Sequence, residues 1–284
     1  MRKKYDGSVE AFDENWKKTK ESLNIYWTKK NPVNQIELSF QMFWKLFIEI
    51  IKKNKIKGKK ILEVGAGRGT ISAYFSDHKY ETTLMDSSTK AIQISKKIFK
   101  NNNLNAKFII SDINRLKNIK PEYDIIFSYG LMEHFKDIKK PLINQINLLN
   151  KGGLFLAYIV PDYRNKNVQK NYLWINSLIT SDNNKLKSNS IKKSNIYRNN
   201  YNSSKYIKIL SKYLRNINSS GVYPLPMISS SVDFPFTLLK PNAEVILINH
   251  FKNILKSKLK IDKSNQWLCK EGYGQAFIVW GVKK

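Results

Sequence analysis

One cysteine, Cys269, stands among 284 residues. That excludes an intrachain disulfide and a cysteine-based metal cluster, and leaves the side chain to read as a small hydrophobe in a strand. Acidic residues are scarce as well: 22 Asp and Glu face 50 Lys and Arg, a formal net charge of +28. Such a surplus suits a nucleic acid, a phosphorylated substrate or an anionic membrane surface. It also follows from coding bias alone, because Lys, Asn and Ile are abundant from end to end. The excess peaks in residues 163–232, which hold twelve basic residues and one acid, Asp182. Long apolar runs are missing too. The opening Met-Arg-Lys-Lys-Tyr-Asp-Gly-Ser has no apolar signal core, and the apolar stretch 42–51 is interrupted by Lys45 and Glu49 and is too short to span a bilayer. The expectation is a cytosolic chain that at most touches a membrane surface. At 42% hydrophobic and 12% aromatic, it has enough apolar material to bury a core. No internal repeat is present.

Along the chain, residues 9–30 and 33–53 read as two helices parted by Asn31-Pro32. In the second, Ile36, Phe40, Phe43, Trp44, Phe47, Ile50 and Ile51 fall at helical spacing. They suit either packing against a neighbouring domain or forming a wall over a site. From 60 to 160 strands and helices alternate, which predicts an α/β domain with a parallel sheet. The expected strands are 60–64, 81–85, 107–111, 124–128 and 153–160, with helices near 70–77, 88–100 and 138–149. Residues 162–235 break this rhythm, being rich in Asn, Ser and Lys, and read as an insertion of short helices and loops. Helical spacing resumes at 241–256, and closing strands are expected near 257–269 and 274–283. The domain organisation is thus an N-terminal helical segment 1–54, a sheet domain from 55–161 and 236–284, and an insertion 162–235.

Residues 61–69 read Ile-Leu-Glu-Val-Gly-Ala-Gly-Arg-Gly. Ile61, Leu62 and Val64 supply the apolar run of a buried strand. Gly65, Gly67 and Gly69 supply positive φ and room for a close backbone approach. Glu63 is the odd residue, since a carboxylate inside a buried strand is costly unless it has a partner. The spacing differs from the dinucleotide fingerprint because Thr70 occupies the sixth position. It resembles motif I of the class I S-adenosylmethionine-dependent methyltransferases. Three further features support the resemblance. Asp86 follows the second strand. Asp112 ends the third in Ile-Ile-Ser-Asp-Ile. Glu133-His134 follows the fourth in Tyr-Asp-Ile-Ile-Phe-Ser-Tyr-Gly-Leu-Met-Glu-His-Phe, and is similar to the Glu-His of small-molecule methyltransferases of the type 11/12 and quinone-biosynthesis groups. Leu148-Leu149-Asn150-Lys151-Gly152-Gly153-Leu154 resembles the family's Leu-x-Pro-Gly-Gly turn, with Asn-Lys in place of Lys/Arg-Pro.

The resemblance implies a Rossmann-like seven-stranded sheet with helices on both faces and S-adenosyl-L-methionine as cofactor. It implies that Gly65, Ala66, Gly67 and Gly69 cradle that cofactor, with Glu63 holding the methionine ammonium directly or through water. Asp86 and Ser87 would take the ribose; on its own, Asp86 also reads as a helix N-cap, competing with Ser87 and Ser88. Asp112 would meet the adenine amino group with Ile113 against the ring, or simply cap the turn that follows. Ser128 and Tyr129 should face the methyl-donor pocket. For a hydroxyl acceptor, His134 is the candidate general base and Glu133 its orienter; the alternative is that both shape the loop. No metal site is expected from two adjacent ligands.

Absent motifs narrow the acceptor. Ser-Tyr-Gly-Leu replaces the Asn/Asp-Pro-Pro-Tyr/Phe of exocyclic-amine methylases, the lone cysteine argues against the cysteine-dependent cytosine mechanism, and the double-Glu loop of protein arginine methylases is missing. A small-molecule acceptor remains: a sugar, nucleotide-sugar, lipid or quinone precursor, or secondary metabolite, sometimes phosphorylated. The insertion would then be a substrate cap, with Tyr163, Tyr172, Trp174, Tyr197, Tyr201, Tyr206 and Tyr213 for rings and Lys192, Lys193, Arg198 and Lys205 for phosphates, or a solvated cap whose aromatics pack inward. An RNA methyltransferase and a non-catalytic S-adenosylmethionine-binding protein stand as rivals.

Overall fold

The structure is a computed structural model that describes residues 12–14, 16, 27–116, 121–162, 197–222, 241–261, 268–274 and 276–284. Its elements, in chain order, are α1 (Gln35–Lys53), β1 (Lys60–Val64), α2 (Thr70–Asp77), β2 (Glu81–Asp86), α3 (Thr89–Asn101), β3 (Lys107–Ile110), β4 (Tyr123–Tyr129), α4 (Lys139–Leu148), β5 (Leu149–Ile159), α5 (Ser203–Leu210), β6 (Leu214–Val222), α6 (Pro241–Ile261), β7 (Leu268–Cys269) and β8 (Ala276–Lys283). Short 3-10 turns follow β3 at Ile113–Arg115, β4 at Met132–His134 and β7 at Glu271–Tyr273.

The strands form one sheet in the order β3-β2-β1-β4-β5-β8-β6-β7. The first five are parallel; β8 runs antiparallel to both β5 and β6. Because β4 returns to the far side of β1 from β2, the strand order reverses at the β1–β4 pair. Carboxyl ends of parallel strands at such a reversal form a crevice where ligands bind.

Side-chain alternation divides the core. On β5, Leu154, Leu156 and Tyr158 join one cluster with α1 and α2, while Phe155, Ala157 and Ile159 join another with α4 and α5. α1 starts where Asn34 accepts hydrogen bonds from Ile36 N–H (3.1 Å) and Glu37 N–H (2.9 Å). Its apolar stripe is buried, with Phe47 fully inaccessible and edge-on to Phe127 at 5.5 Å. Each such fully buried side chain contributes about 2 kcal/mol of transfer free energy. Packing against the sheet is therefore the role of most of the stripe.

Two expectations fail. The sheet has eight strands rather than seven, and its sixth is Leu214–Val222, inside the segment read as an insertion. The closing strand expected near 257–269 is instead helix through Ile261, followed later by the two-residue β7. β6 reads Leu-Arg-Asn-Ile-Asn-Ser-Ser-Gly-Val and buries only its two ends well, so it lacks the apolar run that marks the inner strands. β5 also begins at Leu149, ahead of Gly152-Gly153, because Leu149 pairs with Tyr123. Most of the expected helix 9–30, the residues 223–240 and the residues 163–196, including Tyr163, Tyr172, Trp174, Lys192 and Lys193, lie outside the described residues.

Candidate functional site

The glycine turn is built by three left-handed residues. Gly65, Gly67 and Gly69 have φ of 71°, 52° and 69°, where a side chain is strained. Space is also short: a Cβ on Gly65 would stand 2.8 Å from Leu131 Cδ1, and one on Gly69 would overlap Leu84. Gly65 N–H and Ala66 N–H both donate to the Met85 carbonyl, at 2.8 and 3.0 Å, tying the turn to the end of β2.

Asp86 closes that tie. Its Oδ2 accepts from Gly67 N–H at 2.9 Å and its Oδ1 from Ser88 N–H at 2.8 Å. The cap of α3 is Ser88, whose Oγ accepts from Ala91 N–H, so Asp86 is free of the capping role. Burial raises its pKa, the backbone N–H groups of Ser88, Gly67 and Ser87 oppose that rise, and the nearby Asp13 adds to it. Ser87 sits at the same corner, between strand end and helix.

Glu63 is 3% exposed. Its Oε2 accepts from Ser72 N–H at 3.2 Å and from the Ser72 hydroxyl. The buried carboxyl thus has a partner within the protein, in the first turn of α2. Burial still pushes its pKa up to about 8, with the Ser72 bonds working against the shift.

On the other side of the crevice, Asp112 caps the turn after β3: its Oδ1 accepts from Asn114 N–H at 2.9 Å, and Arg115 Nε stands 3.6 Å from Oδ2. Ile113 is buried beside Val64 and Met85. At the end of β4, Ser128 Oγ, Tyr129 Oη and Glu133 Oε2 are buried without hydrogen-bond partners. Tyr129 stacks on Tyr158 at 4.6 Å, and burial raises its phenol well above the ordinary value. Orphaned polar atoms in a buried site invite a ligand to complete them.

Glu133 and His134 are 1% and 5% exposed, with Oε1 and Nε2 3.9 Å apart. His134 Nδ1 lies 2.8 Å from the Tyr197 carbonyl, which can only accept. The proton is therefore on Nδ1 and the lone pair on Nε2. Burial lowers the imidazole pKa to about 4 and raises that of Glu133 to about 7, the latter opposed by the positive charge of Arg198. Near neutral pH the carboxyl titrates and the imidazole stays neutral.

Several residues here are invisible to sequence reasoning. Asn199, 2% exposed, donates from Nδ2 to the carbonyls of Phe135 (3.0 Å) and Met132 (3.2 Å), while its own N–H donates to the Glu133 carbonyl at 2.7 Å. It pins the loop that carries both candidate groups. Among the expected cap residues, Tyr206 is fully buried in the core, and Tyr201 donates its hydroxyl to the Lys136 carbonyl at 3.0 Å. These aromatics pack inward. The helical residues Phe12, Asp13 and Trp16 cross the strand ends. Phe12 meets the His134 ring edge-on at 4.8 Å, Asp13 Oδ1 accepts from Ser88 Oγ at 2.6 Å, and Trp16 Cζ2 lies 3.1 Å from where a Cβ on Gly67 would stand.

Comparison with known proteins identifies the architecture. A family described as a methyltransferase domain matches residues 55–217. The chain belongs to the class I S-adenosylmethionine-dependent methyltransferases. Ubiquinone biosynthesis O-methyltransferase from Coxiella burnetii strain RSA 493 is 31% identical over 110 residues, 38% of this chain and 47% of that protein. The Rickettsia bellii OSU 85-389 protein of the same name is 26% identical over 124 residues, 43% of this chain and 49% of its own length. The chain thus spans about half the length of the curated relatives it matches. Magnesium protoporphyrin IX methyltransferase from Synechocystis PCC 6803, solved with bound S-adenosylmethionine, shares the fold over the whole of both chains with a TM-score of 0.55 at 11% identity. The PH0226 protein of Pyrococcus horikoshii shares it over 72% of this chain and 93% of its own, with a TM-score of 0.53 at 17% identity.

The donor set in the crevice fits the cofactor. The glycine turn presents left-handed backbone without side chains at Gly65, Gly67 and Gly69, and unsatisfied polar atoms line the end of β4. Among the described residues no cluster of His, Cys, Asp and Glu could hold a metal ion, and no helix is long and apolar enough to cross a membrane.

Proposed function

We propose that this methyltransferase modifies an oxygen atom of a small molecule, with Glu133 as the group that takes the acceptor's proton. The observation that carries the reading is the Glu133–His134 pair: a carboxyl buried to 1% exposure, with a free Oε2 and a pKa of about 7, at the end of β4. A general base works best when its pKa lies near the operating pH. His134, at about 4, is too weakly basic to hold the proton, and it serves to wall and orient the site through Nδ1 and Tyr197. The O-methyltransferase names of the partial relatives favour the same acceptor atom.

In this reading Gly65, Ala66, Gly67 and Gly69 give the methyl donor a close backbone surface, Asp86 and Ser87 take its ribose, and Asp112 with Ile113 flanks its adenine. Glu63 meets its ammonium, which would lower the raised pKa of that carboxyl. When bound, S-adenosylmethionine supplies a sulfonium methyl and a thioether leaving group. Glu133, ionised, receives the hydroxyl proton of the acceptor as the new oxygen–methyl bond forms, so the product leaves neutral and the carboxyl returns to solvent exchange. Ser128 and Tyr129 complete the polar wall, and the inward-packed aromatic shell keeps water from the transfer path. Holding the acceptor oxygen in line accounts for most of the acceleration.

The test is transfer of label from S-adenosyl-[methyl-14C]methionine to a panel of phenols, catechols, sugars and amines. Label appearing in a hydroxyl-bearing compound and not in its amine analogue supports the oxygen reading. Transfer restricted to amines overturns it.

A further inference from the structure

One cavity of the described residues lies far from the crevice. It has a volume of about 570 Å³ and sits where the amino ends of β4 and β5 meet the end of α1 and the start of β6. Asp124 on its floor is four residues before Ser128, which places the two edges of the sheet about 13 Å apart along β4.

Its lining is unusual in charge. Five of its thirteen residues are cationic, namely Lys53, Lys55, Lys57, Lys151 and Arg215, against 50 of 284 in the chain, so chance placement would give about half as many. Asp124 is the one acid, and both its oxygens are engaged: Oδ2 accepts from Lys60 N–H at 3.0 Å and Oδ1 from Asn150 Nδ2 at 3.1 Å. Its position is fixed further by Gly58, where a Cβ would overlap the carboxylate. Among the described residues none of the five cations has a carboxylate partner within ion-pair distance. They come from three stretches of chain that the fold brings together: residues 53–57 from the end of α1 into the linker before β1, the start of β5 and the start of β6. Gathering like charges around one concavity raises its potential, and a multiply charged anion recovers that energy.

We propose that this cavity binds a small molecule carrying two or more phosphate groups. The lining is polar apart from Ile56 and Val282, so it offers little to an apolar ligand and much to phosphate oxygens. A net excess of four cations calls for more than a single phosphate. The cations ring one half-open concavity, which suits a compact anion, whereas a nucleic-acid backbone is tracked by a stripe or groove. The site is separate from the methyl-donor crevice and independent of the acceptor assigned above.

The experiment is calorimetric titration of the full chain with sodium tripolyphosphate in about 150 mM salt, which screens scattered surface charge. The expected result is saturable binding, weakened about tenfold or more in K55Q/K57Q/R215Q, whose positions are all exposed. A charge-matched control, K96Q/K97Q/K100Q on α3, should change the affinity less than about twofold, since it alters net charge alone. S-adenosylhomocysteine affinity should be unchanged in both variants, which separates failure here from failure of the cofactor site. Equal weakening by the two triple variants, or non-saturable binding, overturns the proposal. So does loss of single-stranded RNA binding in K55Q/K57Q/R215Q while tripolyphosphate binding persists.

Discussion

Replacing Glu63 with Gln should stabilise the cofactor-free protein, and by an amount that depends on pH in a way fixed by one buried group. Glu63 ionises at about 8 in the folded chain against 4.5 ordinarily, because burial disfavours the carboxylate. Between those values the native state holds a proton that the unfolded state has released. Stability must therefore fall as pH rises through this window. The gap of about 3.5, at about 1.4 kcal/mol for each pH unit, gives an upper bound of about 5 kcal/mol lost by pH 9. Gln keeps an oxygen to accept from Ser72 and has no proton to lose. The variant and the parent should differ little below pH 4.5 and diverge progressively above it, levelling off past pH 8. Urea unfolding of both proteins at pH 5, 7 and 9 measures this. Glu133 titrates in both chains and cancels in the difference. Midpoints that move in parallel across the three pH values would refute the reasoning, and with it the claim that this carboxyl is desolvated.

Glu133→Gln should lower kcat/KM by about 10²–10³ and remove its rise through pH of about 7, read from pH–rate profiles with any hydroxyl acceptor found. Asn199→Ala should cost about 2–3 kcal/mol, because it strands the buried carbonyls of Met132 and Phe135. It should also depress turnover more than S-adenosylhomocysteine affinity, as measured by steady-state kinetics beside calorimetry. Trp16→Ala should speed S-adenosylhomocysteine release about tenfold in stopped-flow experiments, since it opens the wall beside Gly67.

How much of this was legible in the sequence depends on where the physics is local. The inner parallel strands and the helices between them announce themselves, because β1, β4 and β5 carry buried apolar stretches at Ile61-Leu62, Ile125–Phe127 and Leu154–Ile159. α2 falls on residues 70–77 as expected, since the glycine turn sets its start. β6 was hidden because it lies toward the sheet edge, pairs with a two-residue strand on one side, and carries Asn216, Asn218, Ser219 and Ser220 where an inner strand would carry aliphatics. The end of α6 was misread because a Lys-rich amphipathic helix and an alternating strand look alike over a few residues. In the site, the positions of Gly65, Asp86 and Glu133 followed from motif spacing. The division of labour between Glu133 and His134 did not, for it depends on burial and on the Tyr197 carbonyl, 63 residues away in sequence. Asn199 and Trp16 likewise act through contacts that no local pattern records.

The most direct measurement of the crevice at the ends of β1, β2 and β4 is calorimetric titration of the purified chain with S-adenosylhomocysteine, alongside Asp86→Ala. The parent should bind one equivalent with a Kd of about 1–100 μM, and the variant should bind about tenfold more weakly or worse while melting as a folded protein. Equal affinity in the two chains would contradict the placement of the cofactor beside Asp86.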